Sequence, residues 1–458
     1  MRSWFPDKQH PMPPHNRPLI RVILSLAVSL LAVVATRCNA APRPNIVYIV
    51  ADDMGYADCG VHGCGDVPTP HLDALANAGA RFTNGYVTGT VCSPSRAALM
   101  TGRYHYRDGV KDWIPPGKAG LRTDVPSIAQ YLRRSGYQTG HVGKWHLGED
   151  EACHPLHRGF ESFFGFLGGG RSYFPDKPAQ PGQRVNHYTR IVRGTEAVHE
   201  TEYLTTAFGR EAVSFIKTRR DQPFFLYLAF NAVHTPMQPP AGDERFASIT
   251  DPKRRAYAGM LASMDEAIGR VTAALSETGT ESHTLVCFIS DNGGPITRNA
   301  PNASNNHPLR GGKGETWEGG IRVPFFMKWP GHIEAGTLIH QPVIQMDLTA
   351  SALELAGITA DPAWPIDGKS LLPLLKGSNA PVHEQLCWSY EHQWAIRQGK
   401  WKLSVSGPKK DSPPALYDLE NDPKEEHDLA GNEPERVAKM QACWEKWRKE
   451  TLTASPQG

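Results

Sequence analysis

Residues 91–103 of the chain read Val-Cys-Ser-Pro-Ser-Arg-Ala-Ala-Leu-Met-Thr-Gly-Arg. The stretch joins a Cys-x-Pro-Ser-Arg pattern to a short run of helix-forming residues and a closing Thr-Gly-Arg. Proline is favoured in the first turn of a helix, so we predict a helix that begins close to Cys92. A helix of this kind with a merely buried cysteine is one explanation, because free cysteines are usually buried. The other motifs of the chain favour a second explanation, in which Cys92 is the precursor of a nucleophile.

Four apolar runs elsewhere have the length and composition of buried β-strands, and each is followed by polar residues. Residues 45–50 lead to Asp52 and Asp53, residues 138–142 to Lys144 and His146, residues 224–230 to His234, and residues 284–290 to Asp291 and Asn292. In open α/β sheets the ligand site lies beyond the carboxyl ends of the strands. We therefore expect these side chains to gather at one edge of a sheet.

The segments between these runs show helical patterns, for example at residues 126–134 and 257–275. Alternating strands and helices predict an α/β fold with a large, mostly parallel sheet sandwiched by helices. After residue 375 the pattern changes to short strands and a final amphipathic helix. These later segments cover residues 387–390, 394–397, 401–405 and 434–451. We predict a catalytic domain at residues 41–375 and a small C-terminal domain of antiparallel sheet plus helix at residues 376–458.

The first 40 residues have the composition of a secretory signal peptide. Basic residues at positions 2, 8, 17 and 21 precede an apolar run at residues 22–35, and Ala40 offers a cleavage site. The run is shorter than the roughly 20 residues of a membrane-spanning helix. Cleavage removes five Lys or Arg and one Asp, which changes the formal net charge from +2 to −2. We expect a secreted or periplasmic protein with no membrane anchor after cleavage and no affinity for nucleic acid.

Asp52, Asp53, Asp291 and Asn292 offer three carboxylates and one amide carbonyl. Hard oxygen ligands of this kind suit Ca²⁺ or Mg²⁺ and not zinc. Taken separately, each pair is more typical of a helix cap or a turn. Taken together with Cys92, they predict a site for one divalent cation.

Three further motifs place cations and histidines in segments bounded by glycine or proline. They are Gly-Lys-Trp-His-Leu-Gly at residues 143–148, His-Thr-Pro at residues 234–236, and Gly-Gly-Lys-Gly-Glu-Thr-Trp-Glu-Gly-Gly at residues 311–320. An isolated lysine or histidine is usually a solvated charge or a satisfied core group. We expect Lys144 and Lys313 instead to be fixed cations that bind an anionic substrate.

These motifs together resemble the formylglycine-dependent (type I) sulfatases, in particular arylsulfatases and N-acetylgalactosamine sulfatases, over residues 43–430. The resemblance implies an alkaline-phosphatase-like fold and hydrolysis of sulfate esters. It implies that a formylglycine-generating maturation enzyme oxidises Cys92 to 3-oxoalanine, whose hydrated aldehyde is the nucleophile. It also implies that the oxygen ligands above and the matured Cys92 bind the cation, with Ca²⁺ favoured over Mg²⁺.

Roles for the other site residues follow from the same resemblance. Arg96 and the metal would hold one hydroxyl of the hydrated aldehyde deprotonated for attack on sulfur. Lys144, His234 and Lys313 would bind the sulfate, and His234 or Lys313 would donate a proton to the leaving oxygen. With the sulfate then covalently attached, His146 would take the proton from the second hydroxyl so that sulfate leaves.

Two other functions stay open on the sequence alone. A phosphate or phosphonate ester hydrolase shares this fold, although two-metal phosphatases use more Asp and His ligands than the four oxygen ligands found here. A secreted glycan-binding protein with a decayed site would have no need of a modifiable Cys92.

The expected substrate is a sulfated small molecule or, more specifically, a sulfated carbohydrate. Loops and the C-terminal segment around Trp394 and Arg397 are expected to supply specificity, because binding residues concentrate on loops. Among loop aromatics, Tyr173 and Trp317 are candidates for stacking on a sugar ring.

Overall fold

The computed structural model describes residues 43–175, 189–218, 222–296 and 301–452, and the predicted signal peptide lies outside these residues. Ten of the described strands form one large sheet. In chain order they are β1 (Asn45–Ala51), β2 (Ala80–Phe82), β4 (Gln138–Lys144), β5 (Ser162–Phe166), β6 (Val192–Arg193), β7 (Glu196–Ala197), β8 (Phe224–Ala229), β9 (Thr284–Ser290), β10 (Phe325–Lys328) and β11 (Thr337–Ile339). Two further short strands, β3 (Gly85–Tyr86) and β12 (Val343–Ile344), pair with each other.

The order of strands across the large sheet is β11-β2-β10-β9-β1-β8-β4-β5-β6-β7. The five central strands, from β9 to β5, are parallel, and Val47 of β1 lies between Leu226 of β8 and Val286 of β9. The four strands predicted from apolar runs are β1, β4, β8 and β9, which lie side by side. The prediction of a large, mostly parallel sheet is confirmed, and the carboxyl ends of these four strands meet at one edge.

Helices cover both faces of this sheet. The helices are α1 (Pro70–Asn77), α2 (Cys92–Thr101), α3 (Ile128–Arg134), α4 (Leu204–Thr218), α5 (Pro252–Glu277), α6 (Glu318–Ile321), α7 (Met346–Leu355), α8 (Leu372–Leu375) and α9 (Pro434–Leu452). Alternate residues of β1 face opposite helix layers, as the two-residue period of a strand requires. Val47 and Ile49 pack with α1, α4 and α5, whereas Tyr48 and Val50 pack with α2, α3 and α7.

A second, antiparallel sheet lies near the C-terminus. Its strands are β13 (Leu386–Tyr390), β14 (Gln393–Gln398), β15 (Trp401–Val405) and β16 (Ala415–Asp418), paired in that order. The three predicted strands and the closing helix, α9, are present, and β16 is an addition to them. Trp388, Trp444 and Trp447 from this part share one hydrophobic cluster with Tyr86 and Tyr104. The C-terminal sheet therefore packs on the short β3–β12 pair and the loop after α2. The domain boundary at residue 375 stays a prediction.

Gly143 lets β4 approach β8 closely just before Lys144 enters the site. Its φ of 115° is one that residues with a side chain rarely adopt, and a Cβ there would lie 1.8 Å from the carbonyl oxygen of Ala229. Gly63 has a similar φ of 97°, but a Cβ there would meet no described atom within 4 Å. A side chain at either position would therefore strain the backbone, but only a side chain at position 143 would also overlap with a neighbouring strand.

We predict that Gly143→Ala destabilises the fold well beyond Gly63→Ala. The left-handed backbone costs an alanine about 1–2 kcal/mol at either position. Overlap with the neighbouring strand adds about 1–3 kcal/mol at position 143 only. Urea unfolding of both variants checks this, and equal losses of unfolding free energy would contradict it.

Candidate active site

The ten side chains predicted to form the site lie around the carboxyl ends of the central strands. Asp52 and Asp53 follow β1, and Asp291 and Asn292 follow β9. Lys144 ends β4 with His146 just after it, and His234 follows β8. Cys92 and Arg96 lie in the first turns of α2, and Lys313 lies in the loop before α6. His234 is partly exposed, and the other nine are buried. The structure therefore brings the predicted residues together in one region.

Asp52 is buried and surrounded by positive charge. Its Oδ2 accepts a hydrogen bond from Lys144 Nζ at 2.6 Å and lies 3.9 Å from Arg96 Nη2. Burial alone would raise the pKa of this carboxyl, but Lys144, His234 and Arg96 outweigh burial and hold the pKa well below its usual range. The Asp52 carboxylate is therefore ionised at neutral pH.

Asp53 connects the second lysine to the end of β9. Its Oδ1 accepts hydrogen bonds from Lys313 Nζ at 2.6 Å and from Asn292 Nδ2 at 2.7 Å. Its Oδ2 lies 3.6 Å from His234 Nε2. The φ of Asp53 is 62°, a left-handed conformation that is uncommon outside glycine and concentrates at functional sites. Through this turn, two consecutive carboxylates reach two different lysines.

Arg96 ties the start of α2 to two strand ends. Its Nε donates to Asp291 Oδ2 at 2.9 Å, and its Nη2 lies 2.8 Å from the same oxygen. Its Nη1 donates to the backbone oxygen of Lys144 at 3.2 Å. Burial and the neighbouring Asp52 raise the pKa of Asp291 to about 6, although Arg96 opposes them. The guanidinium thus neutralises a carboxylate that burial would otherwise penalise.

Cys92 is the first residue of α2 and is only 3% exposed. Its Sγ lies 3.5 Å from Asp52 Oδ1 and 3.4 Å from Lys313 Nζ. Burial raises the pKa of the Cys92 thiol to about 12, even though Lys144 and Lys313 lower it. At neutral pH the unmodified side chain is a neutral thiol, so it lacks the thiolate on which ordinary catalytic cysteines depend.

The two histidines of the site are held in different ways. His146 has a left-handed φ of 58°, and its Nε2 donates to the backbone oxygen of Ile114 at 3.2 Å. Its Nδ1 has no hydrogen-bond partner among the described residues. Burial, then Lys144, lower the pKa of His146 well below its usual range. His234 donates from Nδ1 to the backbone oxygen of Thr235 at 2.6 Å, and burial lowers its pKa as well.

A cavity of about 350 Å³ opens beside these groups. It is lined by Val91, Cys92, Trp113, Pro116, His146, Gly169, Gly170, His234, Lys313 and Tyr390. Arg96 and Lys144 are buried behind this lining. Cys92, two histidines and a lysine therefore face one small space, which has the size of a site for a small ligand.

The carboxylate and amide oxygens of the site fit a hard divalent cation. One ligand atom each from Asp52, Asp53, Cys92 and His234 lies within 4.8 Å of the others. Beside them, Asn292 Oδ1 is buried and accepts no hydrogen bond from any described residue. A buried carbonyl oxygen without a donor is costly unless something satisfies it, and a cation would do so. Asp291 lies outside that group of four and adds a negative charge at the same edge of the sheet.

Asn302 and Gln393 belong to the site and were not predicted from the sequence. Asn302 is buried, and its Nδ2 donates to the backbone oxygens of Asp53 and Val233 at 3.2 and 3.0 Å. Gln393 of β14 donates to the backbone oxygen of Gly314 at 2.9 Å, next to Lys313. Hydrogen bonds to distant backbone oxygens leave no pattern in the sequence around a residue. Asn302 does begin an Asn-Ala-Ser sequence, but that pattern is typical of glycosylation and not of a tether, and the Asn302 side chain is buried.

Two expected sugar-binding aromatics have other roles. Tyr173 is fully buried, stacks on Tyr203, and donates its hydroxyl to the backbone oxygen of His234 at 2.8 Å. The guanidinium carbon of Arg310 lies over the Trp317 ring, 3.9 Å from the ring centroid. The prediction that Tyr173 stacks on substrate is therefore wrong, because its ring is part of the core.

The C-terminal sheet reaches the cavity through Tyr390, and not through Trp394 or Arg397, which the sequence predicted. Trp394 stacks on Trp444 of α9, with ring centroids 4.4 Å apart, and Arg397 donates to Asn84 Oδ1 at 3.0 Å. Neither Trp394 nor Arg397 lines the cavity. Tyr390, at the end of β13, does so instead.

Comparison with known proteins assigns the chain to a family. The family model described as Sulfatase matches residues 44–358, and the model described as N-sulphoglucosamine sulphohydrolase, C-terminal, matches residues 313–450. The chain belongs to the sulfatase family, which makes it a sulfuric ester hydrolase. The resemblance drawn from the motifs is confirmed.

The similarity extends over most of the chain. Arylsulfatase A of Homo sapiens is 34% identical over 453 residues, covering 88% of this chain and 86% of that protein. N-acetylgalactosamine-6-sulfatase of Mus musculus is 36% identical over 376 residues, covering 77% and 70%. The crystal structure of Ps i-CgsB in complex with k-i-k-neocarrahexaose has a TM-score of 0.84 and 38% identity, covering 90% of this chain and 94% of that one.

We predict that Asn302→Ala lowers both stability and turnover. The loss of the Nδ2 donor leaves the backbone oxygens of Asp53 and Val233 unsatisfied, which costs about 1–3 kcal/mol. The loops that carry Asp53 and His234 lose their common tether, so kcat/KM for a sulfate ester falls. The control is Asn421→Ala, which removes a hydrogen bond to Asp418 in the C-terminal part. Thermal unfolding and turnover indistinguishable from the control would contradict the tethering role.

Proposed function

We propose that this chain hydrolyses sulfate esters of carbohydrates, with Cys92 matured to formylglycine and a Ca²⁺ ion held by the surrounding oxygen ligands. The observation that carries the proposal is the setting of Cys92. Its sulfur lines the cavity, 3.4 Å from Lys313 Nζ and 3.5 Å from Asp52 Oδ1, yet its thiol is neutral at neutral pH. A cysteine in this setting is better suited as the precursor of another nucleophile than as a thiolate.

Lys313, His234 and Lys144 form the proposed sulfate site. Lys313 and His234 line the cavity, and Lys144 adds positive charge from behind its wall. Each lysine is paired with a carboxylate at 2.6 Å, so its position is fixed before substrate arrives. Fixed cations stabilise the charge that develops on the ester oxygens without a cost of reorganisation.

Oxidised to an aldehyde and hydrated, the side chain of residue 92 supplies two hydroxyls on one carbon. The adjacent Lys313 ammonium favours an ionised oxygen at this position over a neutral one. Arg96 holds the start of α2 in place through Asp291 and adds charge of the same sign. The attacking oxygen is thus oriented by the helix and activated by neighbouring cations.

The proton-transfer roles divide between a neutral histidine and a charged lysine. His146 Nε2 donates to a backbone oxygen, so in the neutral ring Nδ1 carries the lone pair and can accept a proton as general base. Burial would lower the pKa of Lys313, but Asp53 outweighs burial and raises it. Lys313 is therefore protonated at neutral pH, which favours it over His234 as the proton donor to the leaving oxygen.

Asp52, Asp53, Asp291 and Asn292 are the proposed metal ligands, together with the matured residue 92. When bound there, the ion supplies positive charge that polarises the sulfate oxygens and the nucleophilic hydroxyl. These protein ligands are hard oxygens, which favours Ca²⁺ or Mg²⁺ over zinc. The family resemblance favours Ca²⁺ over Mg²⁺. A single such site also favours a sulfatase over a two-metal phosphatase.

The proposed substrate class rests on the relatives and on the predicted export. One similar protein is named as an N-acetylgalactosamine-6-sulfatase, and another has a crystal structure in complex with a neocarrahexaose. Within the described residues, no helix has both the length and the apolar character needed to cross a bilayer. A secreted or periplasmic enzyme would meet sulfated polysaccharides and would require the formylglycine-generating enzyme as a maturation partner.

We predict that in active protein the peptide carrying residue 92 is about 18 Da lighter than its cysteine form, because oxidation replaces the thiol by an aldehyde. Peptide mass mapping measures this, with the buried Cys287 of β9 as the internal control that keeps its thiol. Cys92→Ala should abolish turnover and leave thermal unfolding nearly unchanged. Fully active protein with only unmodified Cys92 would refute the proposed nucleophile.

We predict that His146→Ala lowers kcat for a sulfate ester by about 10²–10⁴-fold, the usual contribution of a general base, with a smaller effect on KM. His62→Ala is the matched control, because His62 also carries an unpartnered buried ring nitrogen but does not line the cavity. Steady-state kinetics of the two variants distinguish a chemical role from a packing role. An equal loss of kcat in both would rule out His146 as the base.

A further inference from the structure

Trp113 is an unusual side chain for its place in the fold. Among the described residues, only three large hydrophobic side chains are strongly exposed: Trp113 at 49%, Leu338 at 44% and Ile296 at 39%. Of these, Trp113 alone lines the active-site cavity. Large exposed apolar surface at the mouth of a catalytic cavity is characteristic of a binding role.

The loop that carries Trp113 is fixed on both sides of it. On one side, the hydroxyl of Tyr390 donates to Asp112 Oδ1 at 3.3 Å. On the other, the N–H of Ile114 donates to Ser93 Oγ at 3.0 Å, and the carbonyl of Ile114 accepts from His146 Nε2 at 3.2 Å. The residues on either side of Trp113 are therefore tied to α2, to His146 and to the C-terminal sheet, which fixes the backbone that carries the indole. A platform held in this way loses little conformational freedom when a ligand binds.

The cavity has two chemically different sides. Lys313, His146 and His234 supply positive charge and polar ring nitrogens, whereas Trp113, Pro116 and Tyr390 supply apolar and aromatic surface. A ligand that fills it must join an anionic group to a ring with an apolar face. With a volume of about 350 Å³, the cavity lies at the small end of ligand sites, which range over roughly 300–1,000 Å³.

A sugar ring matches this wall better than an aryl or steroid ring does. Trp113 is half exposed rather than enclosed in an apolar slot, and it follows the exposed charged residues Lys111 and Asp112. A pyranose has an apolar C–H face for the indole and hydroxyl edges for flanking polar groups. A wholly apolar ring would make no hydrogen bond to those flanking side chains and would leave part of its own apolar surface in water.

We infer that Trp113 is the stacking platform for a pyranose ring of the substrate, and that it sets the preference of the site for sulfated sugars over small sulfate esters. This inference rests on the proposed sulfatase function of the same cavity. Trp113 is a binding residue in this role and takes no part in proton transfer. Its contact lies beyond the sulfate, so inorganic sulfate should bind without it.

The test compares Trp113→Ala and Trp113→Phe with the wild-type, matured protein, and uses Leu338→Ala as the control for loss of an exposed apolar side chain. The substrates are N-acetylgalactosamine 6-sulfate, a sulfated neocarrahexaose and 4-nitrophenyl sulfate, and inorganic sulfate serves as inhibitor. For the better sugar substrate, Trp113→Ala should lower kcat/KM about tenfold, the usual worth of an aromatic contact, and Trp113→Phe should recover most of it. Turnover of 4-nitrophenyl sulfate should fall less, while the inhibition constant of sulfate and the kinetics of Leu338→Ala should stay unchanged.

Three results would overturn the inference while the sulfatase proposal stands. They are sugar-sulfate kinetics within twofold of wild type in Trp113→Ala, an equal loss for sugar and aryl substrates, and a parallel weakening of inhibition by sulfate. A wild-type protein that hydrolyses only the aryl sulfate would also refute the sugar platform. Failure of the matured wild-type protein on every sulfate ester would instead refute the proposed function itself, and the platform with it.

Discussion

The site depends on a balance of buried charge at the carboxyl ends of the central strands. Three carboxylates, Asp52, Asp53 and Asp291, are matched by Lys144, Lys313 and Arg96 at 2.6 to 2.9 Å. None of these ions would be stable there alone, because removing one partner of a buried pair typically costs about 3–5 kcal/mol. The same contacts that make burial tolerable also fix Lys313 in the cavity wall and Lys144 and Arg96 behind it. Stability and catalytic geometry are therefore properties of a single network.

The rest of the fold positions that network. The parallel strands bring Asp52, Lys144, His234 and Asp291 to one edge, and α2 presents Cys92 to it. The C-terminal sheet completes the site from another direction, since Gln393 holds the loop next to Lys313 and Tyr390 forms part of the cavity wall. The apolar cluster that anchors the C-terminal sheet on β3, β12 and the loop after α2 keeps this wall of the cavity in place relative to Cys92.

Sequence reasoning succeeded where the determinant is local. The apolar runs that became β1, β4, β8 and β9 predicted the sheet, and the polar residues that follow them predicted the site, because strand ends converge by geometry. It failed where a residue's role depends on contacts between distant parts of the folded chain. Asn302 acts through bonds to backbone oxygens far along the chain, which leave no pattern. Tyr173 and Trp113 are both loop aromatics, and only the folded chain distinguishes the buried one from the exposed one. Roles inside the site, such as those of His146 and His234, came from family resemblance and stay predictions.

In the proposed function, the buried carboxylates serve a hard divalent cation as well as the lysines that pair with them. Elemental analysis of the matured protein, followed by calcium titration of protein stripped with a chelator, tests this directly. We expect about one Ca²⁺ per chain, loss of turnover on stripping, and a rise of the thermal midpoint when calcium is restored, because a ligand that binds the folded state stabilises it. Bound zinc, or full activity after exhaustive removal of divalent ions, would contradict it.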